Sequence, residues 1–376
     1  MDESGVMRQF TDAYRLSGLP ELQELAREAF GIFMESVPAF AHEAGVRRME
    51  SDVISMLGSL WGGRHAKGVM TSGGTESNFV ALYAARNQAK NRSGSVIIPA
   101  TAHASFWKAC DWLGLEPLVA RPRDDFTADP EAIRKLVRKD TVAIIATCGS
   151  FPWAAIDPIQ EIGEIAEKNS LYLHVDAAFG GLLCPWLEGT KYGVPKWDFR
   201  INGVSSIASD PHKQGFSVHP AGAIVFRDEG LFESAGWTAT VSGYTTSSHT
   251  VLGSKTGASI AVTWAILQHL GREGYVRISK KCMDITMDFV KGVTMIPGLE
   301  TATTPKINMA TAVSTSLDMT PVKRELKKRG WLFFDIEGKP RTREDAVMVE
   351  IVPYNEENVP AFLDDLNEIV SKAKSR

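Results

Sequence analysis

The 376-residue chain has few cysteines and little net charge. Its four cysteines, at positions 110, 148, 184 and 282, lie far apart, so the paired spacing of a metal or redox motif is missing. We therefore predict reduced, packed thiols and no metal site. A net charge of −4 at pH 7 gives no reason to expect nucleic acid or an anionic membrane as a partner.

The sequence also lacks a long hydrophobic run. The longest apolar stretch, at 258–267, falls well short of the roughly 20 residues that a membrane span requires. The first residues, MDES, are acidic and polar, whereas a signal peptide has a basic flank and an apolar core. Hydrophobic residues make up 44% of the chain and charged residues 23%, as in ordinary globular proteins. We therefore expect a cytoplasmic globular protein with no membrane span.

The pattern changes along the chain and predicts three segments. Residues 1–60 show amphipathic helical spacing, for example at 19–30. From 61 to 296, short β-rich runs alternate with helical ones, which predicts a mainly parallel sheet with helices on both faces. The remainder, 297–376, mixes strands and helices and is predicted to be a small α+β domain. The strands predicted in the large domain are 95–99, 141–147, 171–175, 203–207 and 222–226.

The stretch 228–256 interrupts this alternation. It is rich in glycine, serine and threonine, and we predict an irregular segment of the kind that forms an active-site loop. Two helices are predicted after it, at 257–270 and 277–293.

A glycine pair opens a predicted helix in the motif TSGGTESN at 71–78. Backbone N–H groups at a helix N-terminus, with the hydroxyls of Thr75 and Ser77, can hold a phosphate. The lysine of a nucleoside-triphosphate loop is missing, so that class of site does not fit. A capped helix after a glycine turn explains the same residues, and the motif alone leaves both interpretations open.

Lys213 closes the run SSIASDPHK at 205–213, directly after a predicted buried strand. Most lysines are exposed on the surface. Partial desolvation at this position would lower the pKa of the amine and make it a nucleophile that can form a Schiff base. In such sheets ligands bind at the carboxyl ends of strands, where Thr147, Asp176 and Lys213 are all predicted to lie.

These parts together are the ones that pyridoxal phosphate requires. The Asp176 carboxylate would keep the pyridine nitrogen protonated, and the small Ala178 would let the ring lie flat. His103 could stack on the opposite face of the ring, although a hydrogen-bonded, partly buried histidine is an equally good interpretation. We therefore predict a pyridoxal phosphate site.

Five motifs then point to a family. They are TSGGTESN (71–78), HASF (103–106), HVDAAFGG (174–181), DPHK (210–213) and LGSKTG (252–257). With them the chain resembles the group II pyridoxal-phosphate-dependent decarboxylases, above all the archaeal L-tyrosine/L-aspartate decarboxylase branch and its neighbour sphingosine-1-phosphate lyase. The resemblance implies an α/β fold of type I, with a mainly parallel seven-stranded sheet and a small C-terminal α+β domain. It also implies a homodimer with active sites at the interface.

The same resemblance implies roles for the residues that bind the cofactor's reactive aldehyde and its phosphate. Lys213 would form the Schiff base. Gly74, Thr75 and His212 would contact the phosphate, together with Ser254 of the partner subunit.

Further roles implied by the resemblance concern the ring and the reaction. Asp176 would pair with the pyridine nitrogen, and His103 would stack on the ring and lie near the reacting carbon. Thr147 would approach the ring hydroxyl. Tyr244 lies where the family's mobile loop carries a tyrosine that returns a proton to Cα after carbon dioxide leaves.

Some positions depart from the family near the expected substrate entrance. Where archaeal decarboxylases read Gly-Thr-Thr and then a glycine, this chain has GSFPWAAIDP at 149–158. We expect Phe151 and Trp153 to reshape the entrance and, with Trp107, to favour a bulky substrate, although each could be core. Lys255 replaces an arginine, which keeps the charge and loses the bidentate fork.

A second departure lies in the small domain. The family often places an arginine for the substrate carboxyl group in the strand at 347–352, but here Met348 and Glu350 occupy it. Arg341 and Arg343, just upstream, either compensate or are solvated surface charges.

Three interpretations of function remain open. The first is decarboxylation of an L-amino acid, aromatic or acidic, such as tyrosine or aspartate, to an amine and carbon dioxide. The second is cleavage of a Cα–Cβ bond in a phosphorylated amino alcohol, as in sphingosine-1-phosphate lyase, which WDFRING (197–203) and GREGY (271–275) resemble. The third is a non-catalytic scaffold, against which the complete set of cofactor residues argues.

Overall fold

A seven-stranded sheet dominates the chain in a computed structural model that describes residues 8–9, 19–38, 43–89, 92–339 and 341–374. A short strand and two helices precede the sheet: β1 (Arg8–Gln9), α1 (Pro20–Phe33) and α2 (Ala44–Leu60). The sheet and its helices follow as β2 (Lys67–Thr71), α3 (Gly74–Gln88), β3 (Ser95–Pro99), α4 (Ser105–Leu113), β4 (Glu116–Ala120), α5 (Pro130–Leu136), β5 (Thr141–Thr147), α6 (Ile159–Lys168), β6 (Tyr172–Asp176), β7 (Val204–Ser209) and β8 (Gly222–Phe226).

The strand order is β2-β8-β7-β6-β5-β3-β4. Strands β4, β3, β5, β6 and β7 run parallel, and β8 runs opposite to both β7 and β2. Since β2 is antiparallel to β8, it points the same way as β7. The carboxyl ends of all the strands except β8 therefore meet at one edge. This arrangement confirms the predicted fold class.

The inner strands are apolar on both faces because helices cover both sides of the sheet. In β3, for example, Val96 and Ile98 pack into a core with α3 and α4, whereas Ile97 between them packs into the larger core on the other face. The sequence patterns miss β2 and β4. Edge strand β4 contains Pro117 and alternates between exposed and buried residues, so its apolar signal is weak.

The stretch predicted to be irregular contains a short helix, α7 (Glu229–Ser234), and an antiparallel hairpin of β9 (Trp237–Val241) and β10 (Tyr244–Ser248). The prediction of an irregular segment is therefore wrong. The two turn residues, Ser242 and Gly243, have φ angles of 50° and 85°, which suits the tight turn that two-residue hairpins favour. The two helices predicted after it form one element, α8 (Gly257–Met295), interrupted at Gly271, where φ is 50° and ψ is −165°.

The small domain is built on a four-stranded antiparallel sheet of order β11-β12-β15-β14. Its elements are β11 (Glu300–Thr301), β12 (Met309–Val313), α9 (Met319–Lys328), β13 (Trp331–Leu332), β14 (Phe334–Ile336), β15 (Ala346–Glu350) and α10 (Asn358–Lys374). Val347 and Val349 of β15 pack into the core of this domain, whereas Met348 between them packs into the large core beside the parallel sheet. One face of the small sheet thus lies against the large domain. The boundaries at residues 60 and 296 stay a prediction.

Two further sequence predictions concern features of the whole fold. All four cysteines are buried free thiols. Within the described ranges, no helix combines the length and the apolar character needed to cross a membrane.

Candidate active site

The candidate site lies at the edge where the carboxyl ends of the parallel strands meet. A cavity of about 270 Å³ opens there. Thr147 closes β5 and is the register partner of Asp176, which closes β6. Asp176 is in turn the register partner of Ala208 near the end of β7, the strand that leads to Lys213. Neighbouring strand ends therefore bring these predicted residues together, and all three of them line the cavity.

The N-terminus of α3 forms one wall of the cavity. The helix begins at Gly74, directly after β2, and Gly73 before it has a φ of 149°, a conformation that favours glycine. A Cβ added to Gly74 would lie 3.1 Å from Asp210 Oδ2, so a side chain here would force Asp210 to shift by a few tenths of an ångström. Thr75 in the first turn is exposed and lines the cavity. Unpaired N–H groups in this turn suit an anion.

Lys213 projects into the cavity, and its side chain is 16% exposed. Its Nζ lies 2.9 Å from Asp210 Oδ2 and 4.1 Å from the centroid of the Phe179 ring. The buried Asp210 carboxylate and the ring face both favour a positive charge at this amine.

His212 lies beside Lys213 and is held by the backbone. Its Nδ1 accepts a hydrogen bond from Ala221 N–H at 3.1 Å, which places the proton of the neutral ring on Nε2. Burial lowers the pKa of His212 to about 4, against the opposing influence of Asp210. A neutral imidazole at this position offers an N–H donor to a phosphate.

Asp176 is fixed by its own strand end and by Asn78 of α3. Its Oδ1 accepts from Ala178 N–H at 3.0 Å, and its Oδ2 accepts from Asn78 Nδ2 at 2.9 Å. Asn78 Oδ1 faces His174 Nε2 at 3.0 Å, and His174 Nδ1 faces Ser206 Oγ at 2.7 Å. Burial lowers the pKa of His174 to about 4, so the ring is neutral and donates from Nε2 to Asn78. This buried network holds the Asp176 carboxylate in one orientation.

The same asparagine reaches the predicted stacking residue. Asn78 Nδ2 donates to Ser105 Oγ at 3.0 Å, and Ser105 Oγ lies 2.9 Å from His103 Nδ1. Ser105 N–H also points at this nitrogen, at 3.2 Å, so Nδ1 accepts and the proton of the ring is on Nε2. His103 is exposed at the cavity. Its ring is therefore oriented from one side and open to a ligand on the other.

Thr147 is positioned by a buried carboxylate. Its N–H donates to Asp157 Oδ2 at 2.7 Å, and Asp157 Oδ1 accepts from Ala128 N–H at 2.7 Å. Burial raises the pKa of Asp157 to about 6. Within the described part of the chain, the buried Thr147 hydroxyl has no hydrogen-bond partner.

The residues around the cavity fit pyridoxal phosphate. A buried hydroxyl without a partner, as on Thr147, is costly and indicates a missing polar group. The helix N-terminus at Gly74 supplies an anion site, Lys213 an amine, and Asp176 a fixed carboxylate on a neighbouring strand. Ala178 lines the cavity with a small side chain that leaves room for a flat ring.

Three predicted residues lie outside this cavity. Ser77 is fully buried, and its Oγ lies 2.7 Å from Thr71 Oγ1. Tyr244 is on β10 and 61% exposed, and Ser254 lies in the exposed segment before α8. Lys255, next to Ser254, forms an ion pair with Glu50 and donates to Met70 O at 2.7 Å.

The predicted entrance residues divide between the cavity and the core. Phe151 lines the cavity, with its ring 6.3 Å from that of Phe179 and nearly parallel to it, at 15°. The expectation for Trp153 and Trp107 is wrong, because neither lines the cavity. Trp153 is buried and stacks on Phe126 at 3.8 Å, since the chain turns away from the site after Phe151. Trp107 packs against the core beside α3.

Among the described residues, the small-domain positions contribute no cation to the lining of the cavity. Met348 and Glu350 are both buried. Arg343 lies 3.7 Å from Glu300, and Arg341 is exposed, so neither replaces the missing arginine.

Several lining residues have no role in the sequence analysis, and Asn78, Asp210 and Phe179 are the ones that contact its predicted site residues. All three stand inside quoted motifs. Asp210 contacts Lys213 three residues later, whereas Asn78 and Phe179 depend on partners far away in the chain. Asn78 and Asp176, for example, are 98 residues apart. A polar residue one turn into a helix that starts at a glycine pair is the signal that could have identified Asn78.

Comparisons with known proteins identify the family. A family model described as the pyridoxal-dependent decarboxylase conserved domain matches residues 21–312. A probable L-tyrosine/L-aspartate decarboxylase of Methanothermobacter thermautotrophicus is 36% identical over 351 residues, which cover 92% of this chain and 94% of that protein. The L-aspartate decarboxylase of Thermococcus kodakarensis is 33% identical over 330 residues, covering 87% of this chain and 84% of that protein.

Solved structures show the same fold. A sphingosine-1-phosphate lyase of Burkholderia pseudomallei superposes with a TM-score of 0.90 at 30% identity, covering 95% of this chain and 84% of that one. A glutamate decarboxylase of Lactobacillus brevis superposes with a TM-score of 0.84 at 20% identity over 98% of this chain and 89% of that one, a likeness of fold alone. From the family match and these relatives, this chain belongs to the pyridoxal-dependent decarboxylase family and is a pyridoxal-phosphate-dependent carboxy-lyase.

Proposed function

We propose that this enzyme decarboxylates an L-amino acid with an aromatic side chain, such as tyrosine. The family sets aside the scaffold interpretation. The observation that carries the choice of substrate is the pair of phenyl rings, Phe151 and Phe179, that borders the cavity beside Lys213. Phe334 of the small domain packs edge-on against Phe151 at 5.1 Å and supports this wall. Aromatic rings at these separations interact favourably, and the ring of an aromatic substrate can pack against Phe151 and Phe179 in the same way.

The charges around the cavity disfavour an acidic side chain. Among the described lining residues, Glu76, Asp176 and Asp210 supply three carboxylates, and Lys213 is the single lysine or arginine. An aspartate substrate would add an anion to this surface without a cationic partner from the same chain.

Each residue of the site has a proposed task. Bound pyridoxal phosphate supplies an electron sink for the carbon that loses its carboxylate. Lys213 Nζ, held by Asp210, would attach the cofactor and exchange protons. Asp176 would keep a proton on the pyridine nitrogen, and His103 would cover the ring and exclude water. The Thr147 hydroxyl would donate to the cofactor's ring hydroxyl.

The phosphate has its own proposed contacts. The N-terminus of α3 at Gly74, the Thr75 hydroxyl and His212 Nε2 would hold it, with Ser254 of the partner subunit. The backbone N–H groups and the hydroxyls among these contacts are neutral donors. The phosphate would therefore be held largely by oriented dipoles.

The test is a panel of amino acids incubated with the purified enzyme and pyridoxal phosphate, with products identified by mass spectrometry. We expect carbon dioxide and an amine from tyrosine or another aromatic amino acid, at a kcat/KM at least about tenfold above aspartate. A variant F151S should lose most of this preference, whereas the surface variant K196A should keep it. A higher kcat/KM for aspartate than for every aromatic amino acid would contradict the proposal.

We further propose a cytoplasmic homodimer whose active sites lie at the interface. Five large apolar residues stand 43% to 61% exposed on the hairpin and the segment after it: Trp237, Val241, Tyr244, Val251 and Leu252. Leu252 N–H donates to Glu76 Oε1 at 2.9 Å, and Glu76 lines the cavity, so this apolar patch borders the site. Patches of this kind mark protein interfaces. The free buried thiols are in keeping with a reducing compartment.

Mixing two inactive variants tests this interface. We propose that Tyr244 acts in the site of the partner subunit, because it is exposed and remote from the cavity of its own chain. Subunits of K213A and Y244F, unfolded and refolded together, should then regain about a quarter of the wild-type activity, since half of the dimers contain one complete site. The variants refolded separately are the control. No regain in a mixture that sedimentation shows to contain dimers would contradict the shared site.

A second candidate is cleavage of a Cα–Cβ bond in a phosphorylated amino alcohol. The likeness to sphingosine-1-phosphate lyase favours it, as does Met348 in place of an arginine. An aldehyde and an amine phosphate, formed from sphingosine-1-phosphate in the same panel, would identify this reaction.

A further inference from the structure

Glu350 is a buried acid that the proposed chemistry does not use. It closes β15 and is 1% exposed. Alternation along the strand places it on the same face as Met348, which packs into the large core. Its Oε1 accepts a hydrogen bond from Gln214 Nε2 at 2.7 Å. A carboxyl group withdrawn from water costs free energy unless polar partners hold it, so the contact with Gln214 has a structural reason.

Gln214 follows Lys213 directly, and both ends of its amide are held. Its Oε1 accepts from Asn308 Nδ2 at 3.0 Å, and Asn308 Nδ2 also donates to Ile351 O at 2.7 Å. Gln214 is 2% exposed and Asn308 is fully buried. Gln214, Asn308 and Glu350 form a junction that joins the lysine-bearing loop to the start of β12 and the end of β15.

We propose that Glu350 is a positioning residue for Lys213. Through Gln214 it fixes the backbone at the lysine relative to the small domain, while Asp210 orients the amine itself. A side-chain amide held at both ends cannot rotate without breaking a buried hydrogen bond. A misplacement of about 1 Å at a reacting group can cost up to about a hundredfold in rate. This inference rests on the role proposed for Lys213.

The first test compares E350A with E350Q, which keeps an acceptor for Gln214. We expect kcat of E350A to fall about 10- to 100-fold with KM within about threefold of wild type, because the reacting amine is misplaced after substrate binds. E350Q should stay within about threefold in both constants. Equal losses in the two variants would overturn the proposal.

The second test needs no turnover. Hydrogen exchange is measured on the full-length protein, before and after pyridoxal phosphate is added, over the segment 204–215. Exchange should be at least about tenfold faster in E350A and unchanged in E350Q, since opening depends on local hydrogen bonds. Hydrogen exchange does not depend on turnover. It therefore tests whether Glu350 holds the segment 204–215, even if the role proposed for Lys213 is wrong.

A matched control separates positioning from general loss of stability. Phe362 packs on Trp331 in the small-domain core, and its side chain has no polar group that could join the junction. F362L should lower the melting temperature and leave both kcat and the exchange of 204–215 unchanged. If F362L speeds hydrogen exchange over 204–215 as much as E350A does, general loss of stability explains the effect and Glu350 is not a positioning residue. Should E350A fail to fold, Q214M breaks the same junction and is expected to give the same result.

Discussion

Replacing Lys213 by alanine will lower turnover at least about 10³-fold, because the described lining of the cavity then has no amine to attach the cofactor or to move protons beside it. Lys213 Nζ lies in the cavity, 2.9 Å from Asp210 Oδ2. The alanine also leaves the buried Asp210 carboxylate without this cation, which is expected to lower stability by about 3 kcal/mol. Loss of activity in K213A alone could therefore reflect damage to the fold.

The variant K213R separates the two effects. Its guanidinium keeps a positive charge beside Asp210 but cannot form a Schiff base at neutral pH. We expect the melting temperature of K213R to stay close to that of wild type and its turnover to fall as far as that of K213A. The exposed Lys196 provides a control, since K196A should behave as wild type.

Two measurements check this prediction. Product formation is followed by mass spectrometry, and the intact protein is weighed after borohydride reduction, which fixes the cofactor to wild-type and K196A protein but not to the Lys213 variants. Turnover in K213R close to that of wild type would show that another group carries the chemistry.

The stability of wild type relative to E350Q will fall by about 3 kcal/mol between pH 4.5 and pH 8. Burial raises the pKa of Glu350 from 4.5 to about 7, opposed by the positive charge of Lys213 and by the hydrogen bond from Gln214. The folded chain therefore keeps this proton up to about pH 7, whereas the unfolded chain releases it near 4.5. The stabilisation is fully present below pH 4.5 and is lost as the pH rises through 7.

E350Q cannot ionise, so its stability lacks this dependence. The measurement is the melting temperature or urea midpoint of both proteins at several values between pH 4.5 and pH 8. The comparison with E350Q cancels the contributions of His174 and His212, whose lowered pKa values act in the opposite direction, toward higher stability as the pH rises from about 4 to 6.5. A constant difference between the two proteins across this range would mean that Glu350 ionises normally in the folded state.

Much of the fold was predictable from local patterns. Strands β3, β5 and β8 lie at the residues that the apolar runs predict, because a strand covered on both faces must be apolar at successive positions. Edge strand β4 and the hairpin of β9 and β10 were not predictable in this way. Exposed strands need no apolar pattern, and their pairing depends on a partner strand.

The site divides in the same way. The sequence by itself predicted that Asp176 and Lys213 lie at the carboxyl edge of the sheet, because each follows a strand whose direction the alternating pattern predicts. It also predicted the helix that begins at the glycine pair before Thr75, although not the strand β2 that leads to it. The tertiary structure alone decided that Asn78 connects Asp176 with Ser105, that Trp153 packs in the core while Phe151 borders the cavity, and that Gln214 meets Glu350. Glu350 is 136 residues further along the chain than Gln214. Such contacts arise from how distant elements pack within and between the two domains, and no local spacing in the sequence records them.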